Sequence, residues 1–130
     1  MNRGLLDTSV FIAREQQRPL GALPEQVAVS VVTLGELELG VLAAGGPDER
    51  AARAATLALA RAADPLPVSE ATMSAFARLV HDCRAAGARP RILDALIAAT
   101  AVEHGLPVVT QDDDFQSMSA AHAPLDVLAV

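Results

Sequence analysis

The sequence has no tryptophan, no tyrosine, no lysine and one cysteine. With three phenylalanines as the sole aromatic residues, extensive stacking of bases on ring faces is excluded. Without lysine, the glycine pair Gly45-Gly46 cannot serve a phosphate-binding P-loop and reads as a helix stop. The lone Cys83 excludes an internal disulfide and a multi-cysteine zinc site, which fits a reducing compartment. No apolar run reaches the ~18–20 residues that a spanning helix needs. Met1-Asn2-Arg3-Gly4 has no signal-peptide layout, so the expectation is a cytoplasmic protein with no membrane association.

What is present is a chain of 130 residues, 52% hydrophobic and 20% charged, which suits one domain over residues 1–130 with a sizeable core. The net charge of −6 argues against a nucleic-acid binder. Two details weaken that objection. All ten basic residues are arginine, whose fork matches phosphate. Several acids also fall where a bound cation would cancel part of their charge.

Short apolar runs alternate with longer helix-period stretches, the pattern of an α/β domain with a parallel sheet. Strands are expected at Gly4–Leu6, Val27–Val29, Leu66–Val68, Leu106–Thr110 and Leu125–Val130. Helices are expected after Asp7-Thr8-Ser9 to about Glu15, from Ser30 to about Ala43, and from Pro47 to about Ala63. Two more follow, one from Ser69-Glu70 to before Gly87 and one from about Pro90 to His104, with a single turn at Asp112 to about Gln116.

Open parallel sheets bind ligands beyond the carboxyl ends of their strands. Asp7 directly follows the first strand and Asp112 follows the strand ending at Thr110, while Glu36 and Asp94 lie on helices among apolar residues. Taken singly, each has an ordinary explanation: Asp7 as a helix cap, Asp94 as a first-turn acid, Glu36 as a solvated helix residue, the Asp112–Asp114 run as a turn. Together at one rim they need a cation, since two carboxylates ~4 Å apart repel by ~4 kcal/mol at an effective dielectric of 20. An all-carboxylate set suits a hard metal such as Mg²⁺ or Mn²⁺, able to generate a nucleophile from water. Ser9 reads as a cap or a buried hydroxyl, or as an indirect support that holds Asp7, and Thr110 as an ordinary strand residue. Arg89 and Arg91, flanking Pro90 ahead of Asp94, are candidate contacts for an RNA backbone, or solvated helix-start residues. His81, His104 and His122 share no ligand spacing, and Cys83 has no evident activating base.

These residues resemble the PIN-domain nucleases, and among them the VapC-type toxins of toxin–antitoxin pairs. Leu5-Leu6-Asp7-Thr8-Ser9 is similar to the family's opening strand and D-T-S. Glu36-Leu37-Glu38-Leu39-Gly40 resembles its E-x-x-x-G segment. Asp94-Ala95-Leu96-Ile97-Ala98-Ala99-Thr100-Ala101 is close to D-x-L-I-A-A-T-A, and Thr110-Gln111-Asp112-Asp113-Asp114-Phe115 fits T-x-D-x-D-F. The resemblance implies a three-layer α/β/α sandwich with a mainly parallel sheet and Mg²⁺- or Mn²⁺-dependent cleavage of RNA. It also implies a homodimer and a cognate antitoxin. Carried over, Asp7 and Asp94 are principal metal ligands, Glu36 and Asp112 are ligands directly or through water, Asp114 is a further candidate, and Ser9 and Thr110 are supporting hydroxyls.

Two other classes compete. A non-catalytic interaction module would have no reason to keep all four acids. A phosphomonoester-processing enzyme of the haloacid dehalogenase type would want an Asp where Ser9 stands, and a catalytic lysine.

Overall fold

The computed structural model describes residues 2–130. In chain order the elements are β1 (Arg3–Leu6), α1 (Thr8–Glu15), β2 (Gln26–Ser30), α2 (Val31–Leu42), α3 (Pro47–Arg61), β3 (Pro65–Leu66), α4 (Glu70–Ala85), α5 (Ile92–His104), β4 (Val108–Thr110), α6 (Asp114–Ala121) and β5 (Val127–Ala129). The strands form one five-stranded sheet in the order β3-β2-β1-β4-β5, and every pairing is parallel.

Strand residues alternate between two cores, as the pleat requires. Leu5, Ala28 and Val108 pack on one face with Leu79, Cys83, Ile97, Phe115 and Met118 from α4, α5 and α6. Leu6, Val29 and Val109 pack on the other with Val10, Phe11, Leu37, Leu57 and Ala60 from α1, α2 and α3. The result is the three-layer α/β/α sandwich that the resemblance implied. Helices on both faces explain why the strands are apolar on both sides. At Gly4 the backbone passes so close that an added Cβ would lie 2.6 Å from Val109 Cγ2, which favours glycine inside this strand.

Local chemistry sets the ends of most helices. Asp7 caps α1 and Ser30 caps α2 through side-chain acceptors. Ser69 and Thr72 form a capping box on α4, and Gly105, at φ 65°, closes α5.

Several boundaries differ from the sequence expectation, three of them beside prolines, and the last strand is shorter than expected, Val127–Ala129 against Leu125–Val130. β3 stops at Leu66 because Pro67 has no N–H to continue a ladder. β4 begins after Pro107, and α5 begins two residues after Pro90, with Arg91 extended at ψ 140°. The expected single turn at Asp112–Gln116 is instead an eight-residue helix, α6, which buries Phe115 and Met118.

The topology places the site. The chain builds outward from β1 through β2 to β3, then crosses to β4 and β5 on the other side. The order reverses between β1 and β4, the position at which open sheets leave a crevice beyond their carboxyl ends. Because α5 leads into β4 from that same end, its first turn lies at the rim.

Candidate metal centre

Asp7 leaves β1 with its backbone still paired to the sheet, its N–H donating to Val109 O at 2.9 Å. Its side chain is 3% exposed. Oδ1 accepts from the Thr8 N–H at 2.7 Å. Oδ2 accepts from the Ser9 hydroxyl at 2.7 Å and the Thr110 hydroxyl at 2.9 Å. Those two hydroxyls in turn accept from the backbone N–H groups of Gln111 and Asp112, at 3.0 and 2.8 Å. Ser9 and Thr110 therefore tie Asp7 to the loop carrying Asp112. Burial pushes the Asp7 carboxyl above its ordinary range, against hydrogen bonds from Ser9, Thr110 and Thr8 that favour the charge.

Asp94 is the third residue of α5 and is 7% exposed. Its Oδ2 is buried and receives no hydrogen bond from any described residue, a costly arrangement for a carboxylate. The Asp94 carboxyl is pushed up to about 6, chiefly by burial. Arg91 opposes that rise, while the charges of Asp7, Asp112 and Glu36 add to it. Carboxylate oxygens of Asp94, Asp112 and Asp114 lie within 4.8 Å of one another, the one grouping of potential metal ligands among the described residues. Asp112 Oδ1 also accepts the Asp114 N–H at 3.1 Å, which folds the loop back on itself and puts both acids on one side. Asp113 stands outside the group and is exposed.

Glu36 reaches the site from the middle of α2, where its Oε1 accepts the Thr8 hydroxyl at 2.7 Å. A cleft of about 150 Å³ is lined by Asp7, Thr8, Ser9, Ile12, Glu36, Arg91, Asp94 and Asp112. All four principal acids thus face one small space, although Asp7 and Glu36 lie outside the tighter Asp94–Asp112–Asp114 group. A second cleft of about 300 Å³ adjoins it, sharing Arg91 and Asp94 and adding Arg89 and Asp114. Both arginines are exposed.

The apolar surroundings expected for the helix acids are only partly core. Ile97 is fully buried, but Ile92, Leu93 and Leu39 are 56%, 43% and 66% exposed. The cost of an unpaired charge therefore falls on Asp94 far more than on Glu36. The remaining candidates stand apart. The buried His122 ring pairs with Asp82 at 2.7 Å, His104 lies beside Glu103, and Cys83 is buried in the core.

Two residues in contact with the site were not singled out as site candidates from the sequence. Thr8 reads there as one of three capping side chains, yet it turns away from the helix end toward Glu36. Thr33, fully buried, sits 3.0 Å from the Thr8 hydroxyl. Only the spacing of Thr33 and Glu36, three apart on one helix face, was available as a signal.

The donor set fits a hard divalent cation. Every candidate ligand is a carboxylate oxygen, one buried oxygen has no partner, and like charges crowd a space whose sole basic lining residue is Arg91.

Comparison with known proteins shows the family. The sequence model of the family described as PIN domain matches residues 4–121. The chain is 64% identical over 100 residues to "Ribonuclease VapC8" of Mycobacterium tuberculosis strain H37Rv, covering 75% of this chain and 89% of that protein. It is 46% identical over 129 residues to "Ribonuclease VapC5" of the same strain, covering 98% and 95%. Among solved structures it is similar to VapBC-5 of M. tuberculosis, described as a member of the VapBC family of toxin-antitoxin systems. That match has a TM-score of 0.89 and 43% identity, with both chains fully covered.

Proposed function

This chain belongs to the PIN-domain family as a ribonuclease of the VapC type, and on that premise we propose that it hydrolyses RNA with Mg²⁺ or Mn²⁺ held by Asp7, Glu36, Asp94 and Asp112. The observation that carries the reading is the buried, unpartnered Asp94 Oδ2 among acids that share one cleft. Asp94 and Asp112 are the central pair, Asp114 is a further ligand candidate, and Asp7 and Glu36 close the set from β1 and α2. When bound, such a cation activates water at neutral pH and offsets charge on the phosphate.

The remaining roles belong to the protein's own groups. Ser9 and Thr110 spend their protons on Asp7, which favours its charged form against the effect of burial and aims its carboxylate. Arg91, which lines both clefts, and Arg89 beside it hold the RNA backbone against the acids. Their placement answers the objection from net charge, because two guanidinium groups sit where the phosphates must pass. No described side chain offers a ring face at the site, so binding runs through the backbone and not through base stacking.

An antitoxin is the protein partner, by likeness to the toxin–antitoxin structure above. Association of two copies is proposed as well, supported by Leu39 and Leu42, which are 66% and 74% exposed on α2; a clean monomer in sedimentation at micromolar concentration would contradict it. No helix among the described residues is long and apolar enough to cross a membrane, and an RNA substrate places the activity in the cytoplasm.

Cleavage of RNA should stop after exhaustive chelation and return with Mg²⁺ or Mn²⁺, leaving 5′-phosphate and 3′-hydroxyl ends. Full activity in chelator, or 2′,3′-cyclic phosphate products, would refute the proposal.

A further inference from the structure

Glu36 differs from the other acids of the cleft in how it is held. Asp7, Asp94 and Asp112 are short side chains at strand ends and in a helix's first turn. Glu36 must reach the cleft from mid-helix on a longer side chain with more rotatable bonds, and α2 carries no basic residue to steady it. Freezing such a chain at the moment a ligand arrives costs binding energy, whereas freezing it beforehand does not.

The Thr8 hydroxyl donates to Glu36 Oε1 at 2.7 Å. The same hydroxyl also faces the Thr33 hydroxyl at 3.0 Å, in a geometry in which Thr8 is the donor, so its single proton has two acceptors. Thr33 is completely buried in the first turn of α2, one helical turn before Glu36. The carboxylate is the nearer acceptor and the charged one, so it takes the stronger bond. The Thr8 backbone N–H meanwhile donates to Asp7 Oδ1, so one residue touches both Asp7 and Glu36.

We propose that Thr8 is a positioning residue whose hydroxyl holds Glu36 toward the cation cleft, and the inference rests on the metal-centre reading above. The bond orients one carboxylate oxygen before the cation arrives.

The test is Mn²⁺ binding measured by calorimetry on the full chain without RNA, together with melting temperature in chelator. Thr8→Val keeps the shape of the side chain and removes the donor, and should weaken Mn²⁺ binding by about 10- to 100-fold, the range for groups that orient metal ligands. Thr8→Ser restores the donor and should restore the affinity. Thr33→Val removes only the competing acceptor and should leave Mn²⁺ affinity at or above the wild-type value. A merely structural hydroxyl pair, pinning α1 to α2, would lower the melting temperature and leave affinity at the wild-type value. Wild-type affinity in Thr8→Val, or a Thr8→Ser variant as weak as Thr8→Val, overturns the proposal. A Thr33→Val variant as weak as Thr8→Val would mark the hydroxyl pair as packing between α1 and α2 and overturn the positioning role. Absence of Mn²⁺ binding to the unaltered protein refutes the metal centre itself, and the role of Thr8 falls with it.

Discussion

Replacing Asp94 with asparagine should stabilise the metal-free protein, although it removes a proposed ligand. The folded carboxyl titrates at about 6, against an ordinary 3.8. The folded state therefore holds this proton more tightly than the unfolded chain does. Below pH 3.8 both states are protonated and the group contributes nothing. Between 3.8 and about 6 the cost of ionising it inside the fold grows, and above 6 it is complete. At ~1.4 kcal/mol for each tenfold change, that cost is about 3 kcal/mol at pH 7.5. Asparagine has nearly the same shape and no charge, so it avoids both the burial of an anion and the repulsion from Asp7, Asp112 and Glu36. Part of the gain is offset because its amide must also find partners, which leaves an expected gain of about 1–3 kcal/mol, or roughly 4–11 °C in Tm. Urea unfolding followed by circular dichroism, in chelator, measures this directly. The gain should vanish at pH 4. Adding Mg²⁺ at pH 7.5 should reverse the ranking, since wild type is stabilised by the cation and the variant is not. A variant less stable than wild type in chelator at pH 7.5, or a gain that persists undiminished at pH 4, would refute the reasoning.

The aspartate run separates by position. Asp112→Asn should lower RNA cleavage at least tenfold, roughly 1.4 kcal/mol or more of transition-state stabilisation, and the variant should fold, because Asn keeps the oxygen that accepts the Asp114 N–H. Asp114→Asn should have an intermediate effect and Asp113→Asn almost none; if Asp113→Asn is the most damaging of the three, the assignment of this loop is wrong. Replacing Arg89 and Arg91 together with Ala should weaken binding to all RNAs alike and flatten its salt dependence. An unchanged salt slope would mark the pair as solvated residues.

Much of this architecture is legible in the sequence because local rules and the global fold agree. Leu5-Leu6 and Val108-Val109 announce strands covered on both faces, and Ser30, Ser69-Glu70 and Gly105 mark helix ends where the chain does turn. The positions of Asp7 and Asp112 follow from the rule that parallel strands present their carboxyl ends together. What stayed hidden depends on packing between distant segments. Thr8 has the sequence signature of a cap, and only the docking of α1 against α2 diverts its hydroxyl to Glu36. The length of α6 was hidden because its buried positions, Phe115 and Met118, are too few to show a helical period. Ile92 and Leu93 look like core in a linear reading, yet they lie at the exposed start of α5, where the chain has just left a proline.

In the proposed centre these carboxylates gather a cation at the switch between β1 and β4. Anomalous diffraction at the manganese edge, from crystals grown with Mn²⁺, locates that cation directly. A strong peak is expected bounded by Asp94 and Asp112, within reach of Asp7 and of Glu36 directly or through water, with no such peak in crystals of Asp94→Asn. A peak placed elsewhere in the molecule, or none at millimolar Mn²⁺, would contradict the proposed centre.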